Sequence, residues 1–149
     1  MKAKYVHTNI IARDWQELSS FYQFVFGLVP TGPRRDIKGG WADRLTGIQG
    51  VHIVGEHLHM PGYEERLPTL EIFTYKKVDE MEKPLTRAGF GHIAFEVDDV
   101  AETAARVEKA GGYRLGEIVS IDYGELGKAA FAYVRDIEGN IIELQSWQD

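Results

Sequence analysis

No cysteine occurs in the 149 residues, so disulfides, thiolate nucleophiles and thiolate metal ligands are all excluded. Any metal must be held by nitrogen and oxygen. No apolar run approaches the length that spans a bilayer. Met1-Lys2-Ala3-Lys4-Tyr5 leads straight into a strand-like stretch, without the apolar segment of a secretory signal. A cytoplasmic protein with no membrane contact is the expectation. Positive charge is short as well: 17 basic against 23 acidic side chains leave a net charge of −6, the wrong sign for a general nucleic-acid binder. Arg34-Arg35 with Lys38 nearby forms a local basic cluster, suited to an anionic ligand or simply to solvent. Low-complexity segments are absent too.

What is present is an internal duplication. At a constant offset of 85 residues, His7 matches His92, Asp14 matches Asp99, Glu17 matches Glu102 and Gly27 matches Gly112. Each copy opens with strand-like alternation and passes into a helical period. Asp14 with Glu17, and Asp99 with Glu102, are helix-start signals of the capping-box type. Trp15, Leu18, Tyr22, Val25 and Phe26 make one apolar helix face that Gly27 ends. The second helix runs through Ala110 and stops at Gly111-Gly112. Three strands are expected after each helix: around Trp41–Leu45, Val51–Met60 and Thr69–Tyr75 in the first copy, and Gly116–Ile121, Ala129–Arg135 and Ile141–Trp147 in the second. Turn signals stand at Pro61-Gly62, Glu125-Leu126-Gly127 and Asp136 to Asn140.

The predicted fold class is therefore α+β: one domain, 1–149, made of βαβββ modules at 5–75 and 91–147 joined by a polar linker, 76–90, that contains Pro84. One such half is too small for a good core. Pairing the two buries their sheet faces and forms one curved mixed sheet around a central cleft.

Strand parity selects the candidate site. His7 shares a face with Asn9 and Ile11, and His92 with Ala94 and Glu96. Glu71 stands between Leu70 and Ile72, and Glu143 between Ile142 and Leu144. A lone strand histidine or glutamate is ordinarily a hydrogen-bonded or solvated residue. Two of each, in duplicated modules, point instead to a metal site. His57 and His59 share a strand face and have ligand spacing, yet no counterpart at the repeat offset, which makes them pocket-lining or surface residues. His52 carries no signal of its own. Trp41, Tyr63, Phe73 and Tyr133 suit either core packing or an aromatic wall.

These stretches resemble the vicinal oxygen chelate superfamily of glyoxalases, bleomycin-resistance proteins and extradiol dioxygenases. The resemblance rests on His7 with Asp14, Phe21-Tyr22 and Phe26-Gly27-Leu28, on Leu70-Glu71-Ile72, on Gly91 to Asp99, and on Asp136 to Leu144. It implies one divalent metal (zinc, nickel, cobalt, manganese or iron) held by His7, Glu71, His92 and Glu143. It also implies a glyoxalase-like lyase or isomerase acting on a small chelated substrate, with Glu143 or Glu71 as the base that takes a proton next to a carbonyl. Arg13, Trp41, His59, Phe73 and Tyr133 are expected in the substrate pocket, with Arg34, Arg35 and Arg44 as further cationic candidates. Two rival readings remain: an Fe(II) extradiol-type dioxygenase using His7, His92 and Glu143, and a resistance protein that sequesters a small molecule or transfers a thiol to it. A homodimer is expected, because small duplicated sheets have edges that gain from pairing.

Overall fold

The computed structural model describes residues 1–148. The chain forms two compact units, Met1–Glu80 and Met81–Asp149. The first contains β1 (His7–Ile11), α1 (Trp15–Phe26), β2 (Val29–Lys38), α2 (Gly40–Thr46), β3 (His52–His59) and β4 (Thr69–Tyr75). The second contains β5 (Ile93–Glu96), α3 (Val100–Lys109), β6 (Tyr113–Asp122), β7 (Lys128–Arg135) and β8 (Ile141–Gln148), with a 3-10 turn at Gly124–Leu126. Each unit is a βαβββ module carrying its own four-stranded mixed sheet, in the orders β1-β4-β3-β2 and β5-β8-β7-β6. The first strand of each runs parallel to the last, and the other pairs are antiparallel.

Helix starts follow the local signals. The Asp14 carboxylate accepts from the Gln16 and Glu17 backbone N–H groups at 3.0 and 3.2 Å, and Asp99 accepts from Glu102 N–H at 2.8 Å. Each such cap contributes about 1 kcal/mol by satisfying N–H groups that lack an intrahelical partner. Gly27 ends α1 in the left-handed region, at φ 72°, where a Cβ would be strained. Trp15, Leu18, Phe21, Tyr22 and Val25 are buried on α1, and Val100, Thr103, Ala104 and Val107 on α3. The helices cover one face of each sheet, where Leu58, Leu70, Ile72, Val134, Ile142 and Leu144 are fully enclosed. The opposite face carries His7, His57 and Glu71 in the first sheet and Glu143 in the second.

Two elements differ from the sequence expectation. Residues 41–45 are not a strand but the middle of α2, with Ala42 buried and Trp41 and Leu45 exposed. Five residues are too few to separate alternation from a helical turn. The missing strand is β2, whose Pro30, Gly32 and Pro33 read as turn residues. It lies at a sheet edge and is bulged between Thr31 and Arg35, and such positions tolerate proline because no ladder N–H is lost.

The segment expected as a linker is divided between the units. Lys83 Nζ donates to the Glu138 carbonyl at 3.0 Å, and Arg135 donates to the Lys83 carbonyl at 2.7 Å. Its second half is thus fastened to the β7–β8 turn. That turn is closed by Asp136, fully buried, which accepts from the backbone N–H of Glu138 and of Asn140.

Candidate metal centre

In the first module, parallel pairing sets Asn9 beside Glu71 on β4, and antiparallel pairing sets His57 on β3 directly opposite Glu71. Glu71 is buried, with 8% exposure, although its neighbours in sequence occupy the helix-covered face. Its carboxylate is held on both oxygens. Asn9 Nδ2 donates to Oε1 at 2.9 Å, His7 Nε2 lies 3.4 Å from Oε1, and His57 Nε2 lies 2.6 Å from Oε2. The His7 and His57 rings meet edge to face, 5.3 Å between centroids.

One ligand atom from each of His7, His57 and Glu71 falls within 4.8 Å of the others. Two imidazole nitrogens and a carboxylate oxygen at that spacing fit a borderline divalent ion with bonds of about 2.0–2.2 Å. Burial lowers the pKa of His57; the Glu71 charge opposes this. The neutral imidazole, which is the ligating form, is thereby favoured. His57 Nδ1 lies 2.7 Å from Thr69 Oγ1. With Nε2–H donating to Glu71, the Thr69 hydroxyl donates to Nδ1; in the other tautomer Nδ1–H donates to Thr69 and frees Nε2 for a metal.

At the repeat offset His57 has no counterpart in the second copy. The strand register supplies one. Tyr133 on β7 stands opposite Glu143 on β8 as His57 stands opposite Glu71. The 85-residue offset hides this because the β2–β3 connection, 39–51, is eight residues longer than its equivalent, 123–127. The β3–β4 connection, 60–68, is four longer than 136–140. Even the bulges correspond, Thr31/Arg35 in β2 and Leu115/Val119 in β6.

The second module repeats the plan with other donors. His92, just before β5, places Nε2 3.1 Å from Glu143 Oε2. Gln145 Nε2 donates to Glu143 Oε1 at 3.1 Å. Tyr133 donates its phenol proton to Glu143, and its ring meets that of His92 edge to face at 5.2 Å. Burial and then the Glu143 charge and hydrogen bond raise the Tyr133 pKa, so the phenol stays protonated and the donor persists.

The remaining expected pocket residues are distributed otherwise. Phe73 is buried in a cluster with Ala42, Val51 and Ile53, its ring edge-on to His57 at 6.5 Å. Arg13 pairs with Glu80 at 3.1 Å. His59 Nε2 lies 2.7 Å from the Tyr63 carbonyl oxygen, and Trp41 is exposed on α2. Of the cationic candidates, Arg34 lies 4.8 Å over the Trp15 ring, and Arg35 donates to the Pro33 carbonyl. Among the described residues no helix is long and apolar enough to cross a membrane.

Residues 4–144 match the family described as the glyoxalase/bleomycin resistance protein/dioxygenase superfamily. No curated protein sequence matches the chain. Among solved structures, a glyoxalase family protein of Bacillus cereus superposes with a TM-score of 0.79 at 22% identity, covering 100% of this chain and 95% of that one. The V278E mutant of glyoxalase I from Zea mays gives 0.68 at 22% identity, with 98% of this chain matching 45% of the maize protein. The fosfomycin resistance protein FosX of Listeria monocytogenes, complexed with Mn(II) and sulfate, gives 0.57 at 16% identity over 99% of this chain and 95% of that one. The α+β fold of two βαβββ modules, the histidine–glutamate strand faces and the match across 4–144 make this chain a member of the glyoxalase/bleomycin resistance protein/dioxygenase superfamily.

Proposed function

We propose that the protein is a metal-dependent lyase or isomerase of glyoxalase type, moving a proton next to a carbonyl of a small substrate. The observation that carries this reading is the convergence of His7, His57 and Glu71 within 4.8 Å on one sheet face. His7 and Glu71 belong to the ligand set implied by the resemblance, and His57 extends it; His92 and Glu143 are the second module's proposed contribution. A divalent ion bound by His7, His57 and Glu71 would polarise a chelated carbonyl and acidify the adjacent C–H.

The chain's own groups divide the remaining work. Glu71 faces two imidazoles and the Asn9 amide, a surrounding that suits a fixed ligand. Glu143 is held by one imidazole and two neutral donors, Gln145 and Tyr133, and is the better placed of the two to take and return a proton. A homodimer joined through sheet edges is the proposed assembly.

Metal content of protein purified without added metal or chelator tests the proposal. About one transition metal per chain, lost in Glu71→Ala, is the expected result, followed by turnover of 2-oxoaldehyde–thiol adducts or epimerisable acyl thioesters. No metal after reconstitution overturns it.

A second reading is favoured by the same trio, since two histidines and one carboxylate also form the donor set of non-haem Fe(II) oxygenases. Consumption of O₂ that depends on Fe(II) would select that reading over proton transfer.

A further inference from the structure

The corresponding ends of the two site faces are finished differently. In the first module Ile37, Ile53, Phe73 and Tyr75 continue the Glu71 face beyond the trio, and the inserted α2 packs its Ala42 against them. At the equivalent register positions the second module has Ile121, Ala129, Gln145 and Trp147. Its β6–β7 connection is a five-residue turn with no helix to cover them. Trp147 is 40% exposed and Tyr123, at that turn, 44%.

Those rings are already arranged. Tyr123 and Trp147 lie 5.7 Å apart at an interplanar angle of 31°. Phe131 stands edge-on to both, at 6.2 and 5.9 Å. Ile121, 40% exposed, borders them through its pairing with Ala129. This apolar wall is joined to the chemistry by a short hydrogen-bonded chain. Trp147 Nε1 donates to Gln145 Oε1 at 2.6 Å, and Gln145 Nε2 donates to Glu143 Oε1 at 3.1 Å. On the same face Phe131, paired with Gln145, stands two residues along the sheet from Glu143, a rise of about 6.6 Å that is close to the span of an aryl ring and the carbon beside it, and Trp147 stands four residues along, about 13 Å.

We propose that Tyr123, Phe131 and Trp147 form the binding wall for a planar aromatic group of the substrate, whose oxygen-bearing carbons lie at Glu143. The inference rests on the proposed function for the polar end of the ligand and on the aromatic cluster for the rest. It makes these three residues determinants of specificity, selecting aryl-substituted 2-hydroxy or 2-oxo compounds over their methyl counterparts. Offset and edge-on packing against three preset rings favours a flat π-system over an aliphatic chain of similar area.

The test follows the indole N–H resonance of Trp147 by NMR in the full-length protein during titration with mandelate, lactate and benzyl alcohol. Mandelate carries both the aryl group and adjacent oxygens, lactate only the oxygens, and benzyl alcohol the aryl group without a chelating pair. The expected result is a shift of the Trp147 resonance by mandelate with a Kd about tenfold below that for lactate, and a weaker shift of the same resonance by benzyl alcohol. Trp147→Ala and Tyr123→Ala, followed by calorimetry, should each erase the preference while leaving lactate binding within about twofold. Mandelate binding no tighter than benzyl alcohol, with both still shifting Trp147, supports the aromatic wall and removes the metal-chelation reading. A preference that survives both substitutions, or no shift at Trp147 with any probe, overturns the proposal. So does a Trp147 resonance that moves on dilution of the protein alone, which would mark the face as a contact with a second copy.

Discussion

His57 and Tyr133 occupy the same register position in their two modules, each directly across a strand pair from the site glutamate. One module therefore surrounds its carboxylate with two imidazoles, and the other with an imidazole and a phenol. A duplicated backbone has been given one face suited to holding a cation and one suited to hydrogen bonding a carboxylate through neutral donors.

The first consequence concerns metal retention. His57→Ala is expected to weaken metal binding about a hundredfold in competition with a chromophoric chelator, because it removes a ligand and not an outer contact. His59→Ala is the control: its ring is engaged with the Tyr63 carbonyl, and affinity should stay within about twofold. Equal behaviour of the two variants would exclude His57 as a ligand.

Acid stability should report the same histidine. The folded-state pKa of His57 lies below its ordinary value of 6.5, chiefly through burial. Between the two values the unfolded chain binds more protons than the folded one, so stability rises with pH across that interval. Metal-free protein should thus be fully stabilised by this group above pH 6.5 and lose that contribution as the pH falls. His57→Gln should flatten the slope in urea melts as the pH falls below 6.5. An unchanged slope would assign the acid sensitivity elsewhere.

In the second module, Tyr133→Phe removes the phenol that donates to Glu143. A lost hydrogen bond to a charged group costs roughly 1.5–3 kcal/mol, and the lower end is expected here because Gln145 and His92 remain. Chemical denaturation gives the cost.

Gly55 tests how closely β3 approaches β4 beneath Phe73. A Cβ there would stand 2.0 Å from the Ile72 carbonyl oxygen and 2.8 Å from Phe73 Cδ1. Gly55→Ala should cost about 2–3 kcal/mol, in the range of overpacking that displaces backbone. Gly62→Ala, also at positive φ (83°) but with nothing within 4 Å, should cost about 1 kcal/mol. Similar thermal shifts for the pair would deny the steric account.

Much of this protein was legible in the chain itself. Caps at Asp14 and Asp99, the helix stop at Gly27, the strand parity of His7 and the placement of Glu71 and Glu143 depend on neighbours a few residues away, so local pattern carries them. The duplication, spread over the same short segments, was readable for the same reason. What the chain alone did not disclose depends on pairing between distant strands. Val29 to Lys38 form a bulged edge strand despite Pro30 and Pro33, and residues 41–45 form a helix because Ala42 is buried with Ile53 and Phe73. His57 became part of the trio, and Tyr133 its counterpart, only through register, which unequal connections conceal from any constant offset. Local sequence decided which elements form and which side of each strand a residue takes. Tertiary pairing decided which side chains meet, because contact across a sheet follows strand register and loop length, neither of which is encoded at the residue itself.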